Sequence, residues 1–180
     1  MTVNLFLRIS VKTQSGNVAA RAPHFSFPLV ARCRHRARMS EPETPTIQTE
    51  VQVMFFDTDC AAVVHNIAYL RFIEIARTLL AEQLGMGLVG MAETGLYPVV
   101  VRTEIDYRKP ARLGDKLTVH GRLEVVGRTR FWVAFQIIRP ADGTLIVESR
   151  QRLAVMQMPP GKPRRLPGDW ATRFAHLREK

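Results

Sequence analysis

Phe56-Asp57-Thr58-Asp59-Cys60-Ala61-Ala62-Val63-Val64-His65-Asn66-Ile67-Ala68-Tyr69 is where the chain changes from an extended to a helical pattern. Before it, Ile47, Thr49, Val51, Val53 and Phe55 place apolar or β-prone residues on alternate positions, a half-buried strand over 46–55. After it, Arg71, Glu74, Thr78 and Glu82 form one narrow polar stripe on an otherwise apolar helix from Asn66 to about Leu84, which Gly85 and Gly87 end. A carboxylate in a turn ahead of a helix has two readings. It caps the turn in the ordinary Asx manner, or it serves as base or nucleophile while unpaired helix amides polarise a carbonyl.

Working outward, four more strand patterns follow a Gly- and Met-containing connection over 85–96: Val99 to Tyr107, Lys116 to Val126, Thr129 to Ile138 and Thr144 to Met158. Turns separate them at Pro110 to Gly114, at Gly127 and at Pro140-Ala141-Asp142-Gly143. Strand, long helix, then four strands predicts an α+β domain in which an antiparallel sheet of about five strands wraps one mostly enclosed helix. Pro159-Pro160-Gly161-Lys162-Pro163 reads as a break in the last strand. Asp169 then offers an N-cap to a short helix with Trp170, Phe174 and Leu177 on one face. The expected organisation is a basic, poorly ordered extension over 1–44, a domain over 45–158, and a Pro-rich tail over 159–180.

Asp57-Thr58-Asp59, Val63-Val64-His65, Tyr69-Leu70, Phe72 and Glu74 together resemble the acyl-CoA thioesterases of the hotdog fold. A second segment, Glu104-Ile105-Asp106-Tyr107-Arg108-Lys109-Pro110-Ala111-Arg112-Leu113-Gly114-Asp115, is similar to the same family. The branch most resembled is the 4-hydroxybenzoyl-CoA thioesterase group, including the acyl-CoA thioesterases associated with the Tol-Pal system. The resemblance implies Asp59 as the catalytic carboxylate, acting as nucleophile or general base, and Asp57 as structural. It implies an Asn66 backbone amide polarising the thioester carbonyl. His65 beside it either orients water or substrate, or lines the turn bonded to backbone. Arg128, Thr129 and Arg130 fall where relatives contact the CoA nucleotide, and strand alternation puts both arginines on one face; a solvated strand end is the plainer alternative. Arg108, Lys109 and Arg112 form a second basic cluster with the pyrophosphate as its candidate ligand. Met86, Leu88 and Met91 are candidate walls of the acyl pocket. Ala62 departs from the family's usual Gly, and its β-carbon disfavours the positive φ of that turn. Glu74 is expected to pair on the helix surface with Arg71 or Arg77, and Tyr69 and Phe72 to pack in the core.

Composition agrees with a soluble globular protein: 180 residues, 46% hydrophobic, enough for one real core. The net charge of +10 is uneven, since residues 1–38 hold seven basic side chains and no acid, while the other 142 hold 19 basic against 16 acidic. No basic stripe with interleaved aromatics crosses the domain, which argues against a nucleic-acid partner. No apolar run is long enough to span a bilayer. Residues 1–38 read as a transit-type sequence, a basic arm, or upstream sequence ahead of a start at Met39, the last being preferred. Cys33 and Cys60 suggest neither a disulfide framework nor a metal site. The expectation is a cytoplasmic acyl-CoA thioesterase without cofactor or metal, working as a homodimer or homotetramer. An acyl-carrier-protein thioesterase, a hotdog hydratase or dehydratase, and a non-catalytic partner in an envelope or lipid-synthesis complex remain as alternatives.

Overall fold

The computed structural model describes residues 44–179; the extension over 1–43, with Cys33 and the preferred start at Met39, lies outside them. The elements are β1 (Thr46–Gln52), a 3-10 turn (Phe55–Asp57), α1 (Asn66–Gln83), α2 (Leu88–Thr94), β2 (Leu96–Tyr107), β3 (Lys116–Val126), β4 (Arg130–Arg139), β5 (Thr144–Gln157), β6 (Lys162–Pro163), α3 (Trp170–Arg173) and a 3-10 turn (Ala175–Leu177). They form one curled antiparallel sheet in the order β1-β3-β4-β5-β2, with β6 added to β5.

Alternation along the strands builds the core. Leu117, Val119 and Leu123 of β3, Phe131, Val133, Phe135 and Ile137 of β4, and Leu153 and Val155 of β5 are all buried. On α1 the buried residues are Ala68, Tyr69, Phe72, Ile73, Ala76 and Leu80, which recur at helical spacing and make one face. That face packs into the same apolar cluster as the strand residues. Tyr69 and Phe72 are core residues as expected, and Glu74 pairs with Arg77 at 3.2 Å. The expectation of a mostly enclosed helix needs correction at the level of the single chain. Ile67, Leu70, Ile75 and Leu79 remain exposed, because they flank the polar stripe on the side facing away from the sheet.

Three other boundaries differ from the sequence reading. β1 stops at Gln52, and Phe55 lies in the 3-10 turn with its ring 80% exposed. The 85–96 connection contains α2, which follows Gly87 and ends at Gly95 in the left-handed region, φ 66°. The stretch after Pro159 returns to the sheet as β6, in register with Met156 and Gln157. Pro163 is tolerated there because Arg164, the next residue, supplies the amide that β5 needs, donating to the Val155 carbonyl at 2.8 Å.

The tail is part of the packed body. Trp170 and Phe174 are each 1% exposed, and the Trp170 ring meets Phe131 edge-on at 5.2 Å and Phe174 at 5.3 Å. Asp169 precedes α3 as expected, without a side-chain capping bond. Replacing Trp170 by Ala removes a large buried ring from this joint. Urea denaturation of Trp170→Ala should show a loss of about 3–5 kcal/mol.

Candidate active site

The turn that carries Asp59 is built by short backbone bonds. The Asp59 amide donates to the Val63 carbonyl at 2.9 Å, and the Ala62 amide to the Asp59 carbonyl at 3.0 Å. The Asp59 carboxylate Oδ1 accepts from the Ala61 amide at 2.8 Å, an Asx arrangement that orients the carboxylate. Ala62 holds φ 59°. The sequence reading expected its β-carbon to shift the turn; instead the backbone keeps the left-handed geometry and bears the steric cost.

Asp57 fastens this turn to its surroundings. Its carboxylate is buried and accepts from the Met54 amide at 2.9 Å and from the Arg71 guanidinium of α1. Its carbonyl accepts from the His65 amide at 2.8 Å. Arg71 also lies over the Phe56 ring, 5.6 Å from the centroid. Arg71, one of the two partners expected for Glu74, is thus taken by Asp57, and Arg77 is the one that pairs with Glu74.

His65 is the residue before α1, and its Nδ1 accepts from the Ile67 amide at 3.2 Å. The ring therefore caps the helix through Nδ1. The amide of Asn66, first residue of the helix, has no acceptor among the described residues and is open to a ligand.

A cleft of about 450 Å³ gathers Asp59, His65, Asn66, Tyr69, Tyr107 and Lys109. Arg108 lines it too, and is held by Glu148 at 2.9 Å and Asp106 at 3.2 Å. The 108–112 loop is drawn in by the Val64 amide, which donates to the Ala111 carbonyl at 2.8 Å, and by the Ala111 amide, which donates to the Tyr69 hydroxyl at 3.0 Å. Burial raises the Tyr69 phenol pKa, so the hydroxyl stays neutral in its acceptor role. Tyr107 closes one side, its hydroxyl donating to the Asn66 carbonyl at 3.4 Å. Sequence reasoning did not assign Tyr107 to the site; its place at the end of an alternating strand, next to two basic residues, was the available signal. Cys60 is exposed in the same turn as a free thiol.

The structure brings Asp59, His65 and Asn66 together and leaves Arg128, Thr129 and Arg130 elsewhere. Tyr107, at the cleft, pairs with Val147 of β5, whereas Arg130 is level with Ala154, seven residues further along. At about 3.3 Å per residue that is about 23 Å. Arg128 is in the turn before β4 rather than in the strand, with Gly127 donating to the Arg130 carbonyl at 2.9 Å. Strand alternation therefore does not set its direction, correcting the same-face expectation. Near that end a second cavity, about 150 Å³, is lined by Leu80, Leu84, Met86, Leu88, Met91 and Phe131. Arg77 also borders it, donating to Gln151 at 2.8 Å, and burial lowers its guanidinium pKa.

A family profile described as the thioesterase-like superfamily matches residues 53–174, from the end of β1 through α3. The chain belongs to the thioesterase-like superfamily. Among individual proteins it is 30% identical over 130 residues to the acyl-CoA thioesterase YbgC of Haemophilus influenzae, covering 71% of this chain and 93% of that one. It is 27% identical over 131 residues to the acyl-CoA thioester hydrolase YbgC of Escherichia coli O157:H7, covering 73% of this chain and 97% of that one. Among solved structures, a 1,4-dihydroxy-2-naphthoyl-CoA thioesterase from Synechocystis superposes with a TM-score of 0.64 at 26% identity, covering 73% of this chain and 97% of that one. For this superfamily member, the hotdog fold expected from the motifs agrees with these neighbours. No described helix is long and apolar enough to cross a membrane.

Two substitutions test the construction of the turn. Ala62→Gly relieves the left-handed β-carbon at the expense of backbone entropy, and thermal melting should show a net gain of about 0.5–1 kcal/mol. Tyr69→Phe strands the buried Ala111 amide, and the same assay should show a loss of about 1–3 kcal/mol.

Proposed function

We propose that this protein hydrolyses acyl-CoA thioesters to a carboxylic acid and CoA, with Asp59 as the reacting carboxylate. The observation that carries the reading is one cleft holding both an oriented carboxylate and an unpaired helix amide. The thioester carbonyl oxygen would accept from the Asn66 amide, which stabilises the negative charge that develops there. Asp59 either takes a proton from the water that attacks the carbonyl carbon, or attacks that carbon itself. In both routes the C–S bond breaks and the sulfur leaves as a thiolate, so the site needs no strong acid; in the second, water then hydrolyses the Asp59 anhydride, releasing the acid and restoring the carboxylate. His65, bonded to Ile67, holds the helix end in place, and Lys109 supplies positive charge at the cleft mouth. The branch that includes the 4-hydroxybenzoyl-CoA and Tol-Pal-associated enzymes fits the motif set, and a cytoplasmic setting fits its substrate. In that reading α1 is the central helix of a domain that starts near residue 45 and, unlike the expected end at 158, includes the docked tail.

β2 ends the sheet with twelve residues whose outer edge has no partner among the described strands. Such an edge favours pairing with a second copy. A two-fold antiparallel pairing would set the Leu96 end of one β2 beside the Tyr107 end of the other. The Arg128–Arg130 end and the Met-lined cavity of one copy would then flank the Asp59 cleft of its partner, giving one site residues from both. The exposed apolar residues of α1 offer a surface for joining two dimers.

Thiol release from aliphatic and aromatic acyl-CoAs, and from acyl carrier protein, tests the reading. Hydrolysis of at least one acyl-CoA is expected, with Asp59→Asn lowering kcat by roughly 10²–10⁴-fold. Turnover of carrier-protein thioesters alone, or undiminished activity in Asp59→Asn, would overturn it.

A further inference from the structure

Five basic residues meet at the end of the sheet remote from Asp59, and three of them come from the tail. The β3–β4 turn carries Arg128 and Arg130, while Lys162, Arg164 and Arg165 follow β5. Backbone bonds hold the two segments side by side. Val155 donates to the Thr129 carbonyl at 3.3 Å and accepts from the Arg164 amide at 2.8 Å, and the Leu166 amide donates to the Arg128 carbonyl at 3.1 Å. All five basic residues are exposed.

Their lack of ion pairs sets them apart from most arginines of the sheet, Arg152 being the other unpaired one among the described residues. Arg102, Arg108, Arg122, Arg139 and Arg150 each have a carboxylate oxygen within 3.3 Å. Among the described residues, none of the five at this end makes an ion pair. Glu179 places its Oε2 against Gly127; one carboxylate does not balance five cations. The tail is also anchored, because Leu166, Trp170 and Phe174 are buried and the Trp170 ring packs on Phe131 at the start of β4. Fixed, clustered and unpaired positive charge concentrates field at one place and is relieved by a multivalent anion. Four of the five are guanidinium groups, whose planar donor fork matches phosphate oxygens.

We propose that Lys162, Arg164 and Arg165 join Arg128 and Arg130 in binding the phosphorylated nucleotide end of CoA, the tail supplying half of the site. The identity of the ligand rests on the thioesterase reading above, and the placement of the charges does not. In the paired arrangement the site serves the Asp59 cleft of the neighbouring copy. The tail then grips the part of the substrate that is common to all acyl-CoAs, leaving acyl choice to the apolar cavity.

The test uses the full chain and adenosine 3′,5′-bisphosphate as probe, titrated by calorimetry at fixed ionic strength. The double substitution Arg164→Gln, Arg165→Gln should weaken binding by at least about tenfold, the effect expected when a charged phosphate contact is lost. With acyl-CoA as substrate it should raise KM rather than lower kcat. The increase should shrink with the matching thioester of dephospho-CoA, which lacks the 3′-phosphate. An unchanged melting temperature excludes a folding effect. Equal binding of the probe by wild type and variant overturns the proposal, as does a loss seen only with acyl carrier protein. Arginine-dependent probe binding without hydrolysis of any thioester would overturn the enzymatic reading and leave the anion site standing.

Discussion

A buried aspartate that ties the 3-10 turn to the start and the side of α1 is the constraint on which the rest of the site depends. Asp57 bonds the Met54 amide behind it, the Arg71 guanidinium on α1 and, through its carbonyl, the His65 amide ahead of it. A buried carboxylate without such partners is strongly unfavourable, so the 3-10 turn, the Asp59 turn and the start of α1 have few relative positions open to them. Asp59 follows on this anchored turn, its Oδ1 accepting from the Ala61 amide. The two motif carboxylates differ in environment: Asp57 is enclosed and bonded at both oxygens, and Asp59 is partly exposed and bonded to one amide.

The large elements were legible in the sequence because they carry strong periodicity. α1 shows a polar stripe of four residues, and β3, β4 and β5 alternate over ten or more positions. α2 was not legible: it holds Gly90, follows Gly87 and buries no residue, so no apolar face marks it. β6 was hidden by Pro163, and only the register with β5 reveals why a proline is allowed there. Asp59, His65 and Asn66 could be named together because they are contiguous in the chain. Tyr107 and Lys109 come to the same cleft from some forty residues away, through the Val64 and Tyr69 bonds to Ala111. Ala62 shows a local preference losing to its surroundings, since the bonds across the Asp59 turn outweigh the preference of alanine for negative φ.

Charge is arranged on the sheet in two different ways. Over much of the sheet surface, arginines pair with carboxylates across strands, as in Arg150 of β5 with Glu104 of the adjacent β2 and Glu124 of β3 beyond β4, or Arg108 with Glu148. Such pairs neutralise one another and contribute little individually to stability. Around the β3–β4 turn the pattern stops. The sequence alone gives little hint of this, because Arg128 and Arg164 are distant in the chain and become neighbours only through Val155.

β6 also bears on how the chain behaves while it is being made. β4 begins opposite Ala154, so Met156 and Gln157 at the end of β5 extend beyond it, and β6 lies on that side of them. Before the tail has docked, β5 carries open backbone donors and acceptors next to apolar Val155 and Met156, the kind of strand end that recruits other chains. A chain truncated shortly after residue 158 would therefore have a second adhesive place at this strand end besides the β2 edge. Trp170 and Phe174, which seat the tail, act in this respect as a built-in closure against premature association.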